Sequence, residues 1–198
     1  MLEENNQKER FLTEKETERL IYFVNKSDNK LLKYIVPALL LTGSRKREVL
    51  DLEWSDIDFE KRLWRLAAAD NKSKKTRWVP LSDGMYQLLQ LVPRIEGCNW
   101  VFANPKTKKP FVSIYCSWDT ARNRADLADV RMHDLRHSYA SFLINAGGSI
   151  YELKELLGHT QIKTTLRYAH LSKDTLRNAS NTVSAIITSA NERSLKAA

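Results

Sequence analysis

The stretch MHDLRHSYASFLINAGGSIYELKELLGH, residues 132–159, carries most of the information about the fold and the chemistry of this chain. Apolar residues recur in it at helical spacing, and glycines punctuate the pattern. The predicted elements are a helix over 133–146, a stop at Gly147 and Gly148, a helix over 151–157 and a stop at Gly158. His133 and Arg136 are three residues apart, so a helix projects both side chains from one face. His159 follows the last glycine and is therefore predicted to lie in a loop.

Helical spacing also accounts for most of the chain on either side of this stretch. Thr13 and Glu16 are predicted to form a capping box that opens the first helix, and Gly43 is placed to stop the second. Ser44 and Thr160 are the predicted N-caps of two shorter helices. The helices predicted outside the opening stretch are 13–24, 31–42, 45–50, 83–91, 114–127, 161–170 and about 173–189.

Two segments alternate apolar and polar residues instead, which is the spacing of strands. They are WSDIDFEKRLWRL, residues 54–66, and RWVPL, residues 77–81. We expect from them a small antiparallel sheet of about three strands, with the connection NKSKKT at a strand end or hairpin tip. The predicted fold class is therefore α+β, mostly α-helical with a small three-stranded antiparallel sheet.

The composition is that of an ordinary water-soluble protein with a basic surplus. The chain has 198 residues, enough for one well-filled core or two small domains, and a formal net charge of +8. A basic surplus favours a polyanionic partner such as nucleic acid. Cys98 and Cys116 are too few and too widely spaced for a disulfide framework, and no apolar run approaches the roughly 18 residues of a membrane span. These features predict an intracellular, cytoplasmic protein.

Basic, imidazole and phenolic side chains follow one another in an order that suits phosphodiester chemistry. They are Arg45, Lys72, His133, Arg136, His159 and Tyr168. A phosphodiester is an anion, and nucleophilic attack on it builds further negative charge. Guanidinium, ammonium and imidazole groups can bind that charge and move protons, and a phenol can attack phosphorus, without a metal ion.

The segments that contain these residues resemble the tyrosine recombinase family, and within it the phage-type integrases. They are TGSRKREVLDLEWSDID, KSKKTRWVPLS, the opening stretch and TTLRYAHL, which follow the family's order. The resemblance implies the catalytic-domain fold of these DNA breaking-rejoining enzymes. It also implies a site-specific DNA recombinase that cleaves and rejoins strands through a 3′-phosphotyrosyl intermediate, with no metal, ATP or other cofactor.

By position, the resemblance assigns a role to each residue of the series. Arg45 and Arg136 would clamp the scissile phosphate, because their forked donors suit bidentate phosphate binding. Lys72 would protonate the departing 5′-oxygen. Lys74 and Lys75 follow so closely that the choice of Lys72 depends on its alignment to the strand that comes next.

The remaining assignments concern the imidazoles and the phenol. His133 would assist proton transfer at the nucleophile, and His159 would hydrogen-bond a phosphate oxygen. Tyr168 would be the nucleophile. Glu48 matches the family's acidic position that orients active-site groups. The sequence departs from the family at Ser44, where an apolar side chain is more usual.

The resemblance also sets the expected organisation. Residues 1–10 are predicted to be a disordered arm or linker remnant, residues 11–172 the catalytic domain, and residues 173–198 a tail helix that can be exchanged between subunits. The family usually carries a further N-terminal helical domain, so we expect an excised domain or a naturally short relative. The expected partners are double-stranded DNA with specific sites and accessory DNA-bending proteins. The chain is expected to form a homotetramer on DNA and a monomer or weak oligomer alone.

Other interpretations remain open from the sequence. A chromosome-dimer resolvase or a type IB topoisomerase would share the chemistry, and a catalytically silent DNA-binding module would share the fold. A basic helical protein that binds RNA or another protein is a further class. HDLRH, residues 133–137, is similar to the HExxH zinc motif, but Asp134 replaces the glutamate and no third ligand is evident. His137 is therefore predicted to be structural.

Overall fold

The helices and strands follow the predicted order. The structure is a computed structural model, and it describes residues 10–67, 76–172, 180–190 and 193. The strands are β1 (Ile57–Asp58), β2 (Leu63–Leu66) and β3 (Arg77–Pro80). The helices are α1 (Glu14–Asn25), α2 (Leu32–Thr42), α3 (Lys46–Leu50), α4 (Asp83–Leu91), α5 (Tyr115–Arg124), α6 (Asp134–Asn145), α7 (Ile150–Leu157), α8 (Ile162–Thr165), a 3-10 segment (Leu166–Ser172) and a helix over residues 180–190.

The first two helices owe their ends to local chemistry. The backbone N–H of Glu16 donates to Thr13 Oγ1 at 3.2 Å, and the N–H of Thr13 donates to the Glu16 carboxylate at 2.8 Å, which is the predicted capping box. Gly43 ends α2 with a φ of 59°, a left-handed conformation that glycine adopts without steric cost. Both predictions are confirmed, and Gly43 sets the path of the chain into the candidate site.

The strands form the predicted antiparallel sheet in the order β1-β2-β3. Trp64 of β2 pairs with Ile57 on one side and with Val79 on the other, and all these side chains are buried. Alternation along β3 puts Arg77 on the same face as Val79. The fold class is confirmed. The segment that contains Lys72 lies between β2 and β3, outside the described residues.

The predicted N-caps Ser44 and Thr160 are wrong. Arg45 occupies the N-cap position of α3 with an extended backbone conformation. Its backbone N–H donates to the carboxylate of Glu48. A long acidic side chain at the third helical position thus replaces the hydroxyl that we expected to open this helix. Gln161 occupies the N-cap position of α8.

The predicted helix over 161–170 is wrong in its second half. Helix α8 stops at Thr165, and the chain continues as the 3-10 segment. Thr165 is buried and its Oγ1 is hydrogen-bonded to Nδ1 of His159 at 2.9 Å, a tertiary contact that the local pattern does not reveal. Since a 3-10 helix has fewer residues per turn than an α-helix, the change alters the direction in which Tyr168 projects.

Helix α5 is also shorter than its predicted range, 114–127. It ends at Arg124, and Asp126 then adopts a φ of 56°. The N–H of Leu127 donates to the carbonyl of Arg122 at 2.9 Å, which closes the end of the helix and turns the chain toward α6.

Two clusters of buried apolar side chains meet at α6. The larger contains residues of α1, α2, the sheet, α4 and α5, with Trp64 and Trp118 among its largest members. Tyr168 belongs to the smaller cluster, which packs α6 and α7 against the 3-10 segment. Its buried members are Ala140, Ile144, Leu153, Leu157 and Tyr168.

The helix over residues 180–190 exposes its side chains to solvent. Val183, Ile186 and Ile187 lie on one face of it and are each more than half exposed. The preceding residues of the predicted tail helix, 173–179, are outside the described part of the chain. Within the described residues, no helix is both long and apolar enough to span a bilayer.

Candidate active site

Arg45 and Glu48 form a paired unit at the start of α3. The backbone N–H of Arg45 donates to Glu48 Oε2 at 2.8 Å, and its Nη1 donates to Oε1 at 2.7 Å. The side chain of Glu48 is 3% exposed, whereas that of Arg45 is 33% exposed. The carboxylate is therefore withdrawn from solvent, and the guanidinium keeps solvent-facing donors for a ligand.

Arg77 joins this unit from the first position of β3. Its Nη2 donates to Glu48 Oε2 at 3.1 Å, and its Nη1 donates to the carbonyl of Leu156 at 2.6 Å. The side chain lies directly against Gly158, where an added Cβ would come within 2.5 Å of Arg77 Cδ. Burial lowers the pKa of Arg77, and the charge of Glu48 opposes that shift. Arg77 thus ties the pair Arg45–Glu48 to the end of α7.

Arg136 links the connection that carries Arg45 to the loop that carries His159. Its Nη1 donates to the carbonyl of Gly43 at 2.7 Å, and its Nη2 donates to the carbonyl of Leu157 at 2.8 Å. The side chain is buried, and burial, followed by the positive charge of Arg45, lowers its pKa to about 10. The two guanidiniums therefore lie close enough to repel each other.

The imidazoles of His133 and His159 lie beside these guanidiniums. His133 occupies the N-cap position of α6, and burial, followed by the charge of Arg136, lowers its pKa. Burial and the charges of Arg136 and Arg45 lower the pKa of His159 to about 4. Nδ1 of His159 is hydrogen-bonded to Thr165 Oγ1, which fixes the plane of the ring. The low pKa of His159 keeps its ring neutral at physiological pH.

Tyr168 is buried next to His137. Its hydroxyl lies 2.7 Å from His137 Nδ1, and the two rings are 5.9 Å apart between centroids. His137 in turn lies edge-on to His133, with ring centroids 5.0 Å apart. The charge of Tyr168 would raise the pKa of Arg136, so the phenol lies near the buried guanidinium.

The structure therefore brings together the predicted residues that it describes, namely Arg45, Glu48, His133, Arg136, His159 and Tyr168. Lys72, Lys74 and Lys75 lie outside the described residues. Arg77 and His137 are two additions to the site. No cluster of three or more His, Cys, Asp or Glu side chains suitable for a metal ion occurs within the described part of the chain.

Among the described residues of this site, the guanidiniums of Arg45, Arg77 and Arg136 outnumber the carboxylate of Glu48. The guanidiniums of Arg45 and Arg77 share the single carboxylate of Glu48. The hydrogen bonds of Arg136 go to carbonyl oxygens, which carry no full charge. The arrangement therefore favours an anion with several acceptor oxygens, which a phosphate group provides.

The sequence contained a weak signal for each of the two additions. Arg77 alternates with the buried Val79 in a predicted strand, so period-2 spacing places it on the interior face. His137 is one helical turn from His133, a spacing that is also typical of the HExxH zinc motif. Its neighbour Tyr168 is 31 residues away in sequence, which helical spacing cannot reveal.

Comparison with known proteins identifies the class that this fold and site define. The model of the phage integrase family matches residues 10–175, so the chain belongs to that family. It is 31% identical over 194 residues to the integrase of Salmonella phage P22, covering 91% of this chain and 49% of that protein. It is 34% identical over 164 residues to a tyrosine recombinase of Thermosipho africanus, covering 82% of this chain and 57% of that protein.

A solved structure supports the same conclusion. The catalytic domain of bacteriophage HP1 integrase aligns with a TM-score of 0.68 and 32% sequence identity, covering 86% of this chain and 93% of that one. The predicted resemblance to tyrosine recombinases is confirmed. The chain spans about half the length of the curated relatives that it matches.

Proposed function

We propose that this chain is the catalytic part of a site-specific DNA recombinase of the phage integrase type, which cleaves and rejoins DNA through Tyr168. The observation that carries the proposal is the buried guanidinium of Arg136. It is held by two carbonyl oxygens, beside Arg45 and near the phenol of Tyr168. A scissile phosphate is an anion that these guanidiniums can bind, and its phosphorus would then be available to the Tyr168 nucleophile.

In the proposed reaction, Arg45 and Arg136 bind the non-bridging oxygens of the phosphate. The oxygen of Tyr168 forms a bond to phosphorus and passes its proton to the imidazole of His133, while the bond from phosphorus to the 5′-oxygen breaks. Lys72 gives a proton to that 5′-oxygen, and His159 donates to a phosphate oxygen. The 3′-phosphotyrosyl link conserves the bond energy, so rejoining needs neither ATP nor a metal ion.

The proposed partners are double-stranded DNA and further copies of the chain. The net charge of +8 suits a polyanion. The exposed face formed by Val183, Ile186 and Ile187 suits a tail that packs against a neighbouring subunit in a tetramer on DNA. DNA affinity should fall steeply with salt, because phosphate contacts release counterions. A flat affinity between low and high salt contradicts this partner.

The proposal is tested by a Tyr168→Phe variant incubated with end-labelled DNA that contains a candidate site. The unchanged chain should form a covalent protein–DNA adduct, and the variant should bind DNA without forming one. An adduct in the variant would refute the role of Tyr168. Strand exchange between two defined sites, as opposed to relaxation of any supercoiled plasmid, separates a recombinase from a type IB topoisomerase.

A further inference from the structure

The hydroxyl of Tyr168 has a specific partner in the described structure. His137 Nδ1 lies 2.7 Å from it, and both residues are almost fully buried. His137 comes from the middle of α6, whereas Tyr168 comes from the 3-10 segment, so the contact joins two separate elements. A buried phenol requires a hydrogen-bond partner, and here a ring nitrogen supplies it.

The surroundings keep this contact in one geometry. The Tyr168 ring packs in the smaller apolar cluster with Ile144 and Leu157, which restricts its rotation. His133 lies edge-on to the His137 ring, with the ring centroids 5.0 Å apart. Burial, followed by the proximity of His133, lowers the pKa of His137 to about 4, so the ring is a neutral imidazole. A neutral imidazole has one donor and one acceptor nitrogen, and it therefore orients the phenolic O–H.

We propose that His137 is the positioning residue for the Tyr168 nucleophile, with its Nδ1 setting the direction of the phenolic O–H and so of the lone pair that attacks phosphorus. This inference rests on the proposed function. It adds to the site a third imidazole, one helical turn from His133, whose contact is with the nucleophile rather than with the phosphate. In-line attack depends on that direction, and a misplacement of about 1 Å can cost about 10²-fold in rate.

Two amide substitutions separate hydrogen bonding at Nδ1 from the general effect of changing the residue. In His137→Asn, the side-chain amide places a polar atom where Nδ1 stands, whereas in His137→Gln the polar atoms lie near the position of Nε2. His170→Asn is the matched control, because His170 is an exposed histidine of the 3-10 segment whose Nδ1 is bonded to the carbonyl of Arg167. Melting temperatures show which variants are folded.

The measurement is the rate of adduct formation by the 198-residue chain on a nicked suicide substrate at saturating DNA. We expect His137→Gln to be slower by about 10²-fold, and His137→Asn to remain within about 10-fold of the unchanged chain. Affinity for DNA should be unaffected in both variants, since the guanidiniums bind the phosphate. His170→Asn should react at the normal rate. Equal rates for a folded Gln variant and the unchanged chain overturn the proposal.

A second substrate shows which half of the reaction His137 serves. When sulfur replaces the bridging 5′-oxygen, the leaving group needs no proton, so a defect in leaving-group protonation is rescued. The His137→Gln defect should persist on this substrate. Full rescue by sulfur would overturn the positioning role. If the unchanged chain forms no adduct at Tyr168, both the proposed function and the positioning role of His137 are wrong. If the adduct forms at Tyr168 but His137→Gln reacts at the normal rate, only the positioning role of His137 is wrong.

Discussion

The guanidinium of Arg136 donates a hydrogen bond of 2.7 Å to the carbonyl oxygen of Gly43, the residue at which α2 ends. Its other terminal nitrogen donates to Leu157, at the end of α7. Arg136 therefore fixes the chain that leads into Arg45 relative to the chain that leads into His159. A phosphate bound at Arg136 would find Arg45 and His159 already in place, which is what electrostatic preorganisation requires.

Replacement of Arg136 by lysine should abolish the paired hydrogen bonds to the carbonyls of Gly43 and Leu157, because a single ammonium cannot reproduce the planar guanidinium. We expect Arg136→Lys to slow adduct formation by at least about 10²-fold, and Arg45→Ala to do the same. Arg19→Ala is the matched control, since Arg19 also donates to a backbone carbonyl, that of Ala125, but at an exposed position. Single-turnover cleavage measures the rates, and a near-normal rate for either site variant contradicts the phosphate clamp.

Gly43 and Gly147 offer a matched test of the close packing between the backbone at Gly43 and the ring of Tyr139. Both have positive φ, but an added Cβ would lie 2.4 Å from the Tyr139 ring at Gly43 and would meet nothing within 4 Å at Gly147. Gly43→Ala should cost more than about 2 kcal/mol of the free energy of unfolding, and Gly147→Ala about 1 kcal/mol from backbone strain alone. Denaturant unfolding measures both values. Equal losses would show that the contact with Tyr139 is unimportant.

Removal of the Glu48 charge should destabilise the fold. Glu48→Gln leaves the guanidiniums of Arg45 and Arg77 without their shared carboxylate, and breaking a buried pair costs about 3 kcal/mol. Asp51→Asn removes an exposed ion pair with Arg47 and should cost less than about 1 kcal/mol. Chemical denaturation compares the two variants. A Glu48→Gln variant as stable as Asp51→Asn argues against the shared carboxylate.

Ser44 and Ser138 should respond to the loss of a hydroxyl with opposite signs. Ser44 is buried, and its Oγ has no hydrogen-bond partner among the described residues. Ser138 Oγ accepts from the N–H of Leu12 at 2.8 Å and donates to the carbonyl of Asp134 at 2.7 Å. Ser44→Ala should stabilise the chain by about 1 kcal/mol, and Ser138→Ala should destabilise it by about 1–2 kcal/mol. A loss of stability in Ser44→Ala would indicate an unrecognised partner.

Stability should decline as the pH falls from about 6.5 to about 4. Burial lowers the pKa of His137 and of His159 to about 4 in the folded chain, whereas a histidine in the unfolded chain has a pKa near 6.5. In that window the unfolded chain binds more protons, so acid favours unfolding. The slope is at most about 1.4 kcal/mol per pH unit for each histidine, and partial exposure of His159 reduces its share. His137→Asn should flatten the dependence of melting temperature on pH, and an unchanged slope contradicts the assignment.

Local signals predicted much of the fold, and long-range contacts account for the rest. The capping box at Thr13 and the stops at Gly43 and Gly158 are properties of a few neighbouring residues, and they were predicted correctly. The N-cap of α3 was not predicted correctly. Ser44 is buried, and the carboxylate of Glu48 accepts the backbone N–H of Arg45, which is the N-cap residue.

The same division holds in the candidate site. The order of motifs predicted the site residues that the structure brings together, apart from Arg77 and His137. It could not reveal that Arg77 would share the carboxylate of Glu48 or that His137 would contact Tyr168. Both contacts cross from one element to another and depend on packing. The 3-10 segment that contains Tyr168 begins just after Thr165, whose side chain is hydrogen-bonded to His159. The local sequence pattern does not reveal that contact.

Peptide mapping of the covalent adduct would identify the nucleophile. The chain would be incubated with a nicked suicide substrate, digested with protease and nuclease, and examined by mass spectrometry for the peptide that carries the residual nucleotide. We expect one modified residue, Tyr168, linked to a 3′-phosphate. Attachment to any other side chain, or cleavage without a covalent intermediate, would contradict it.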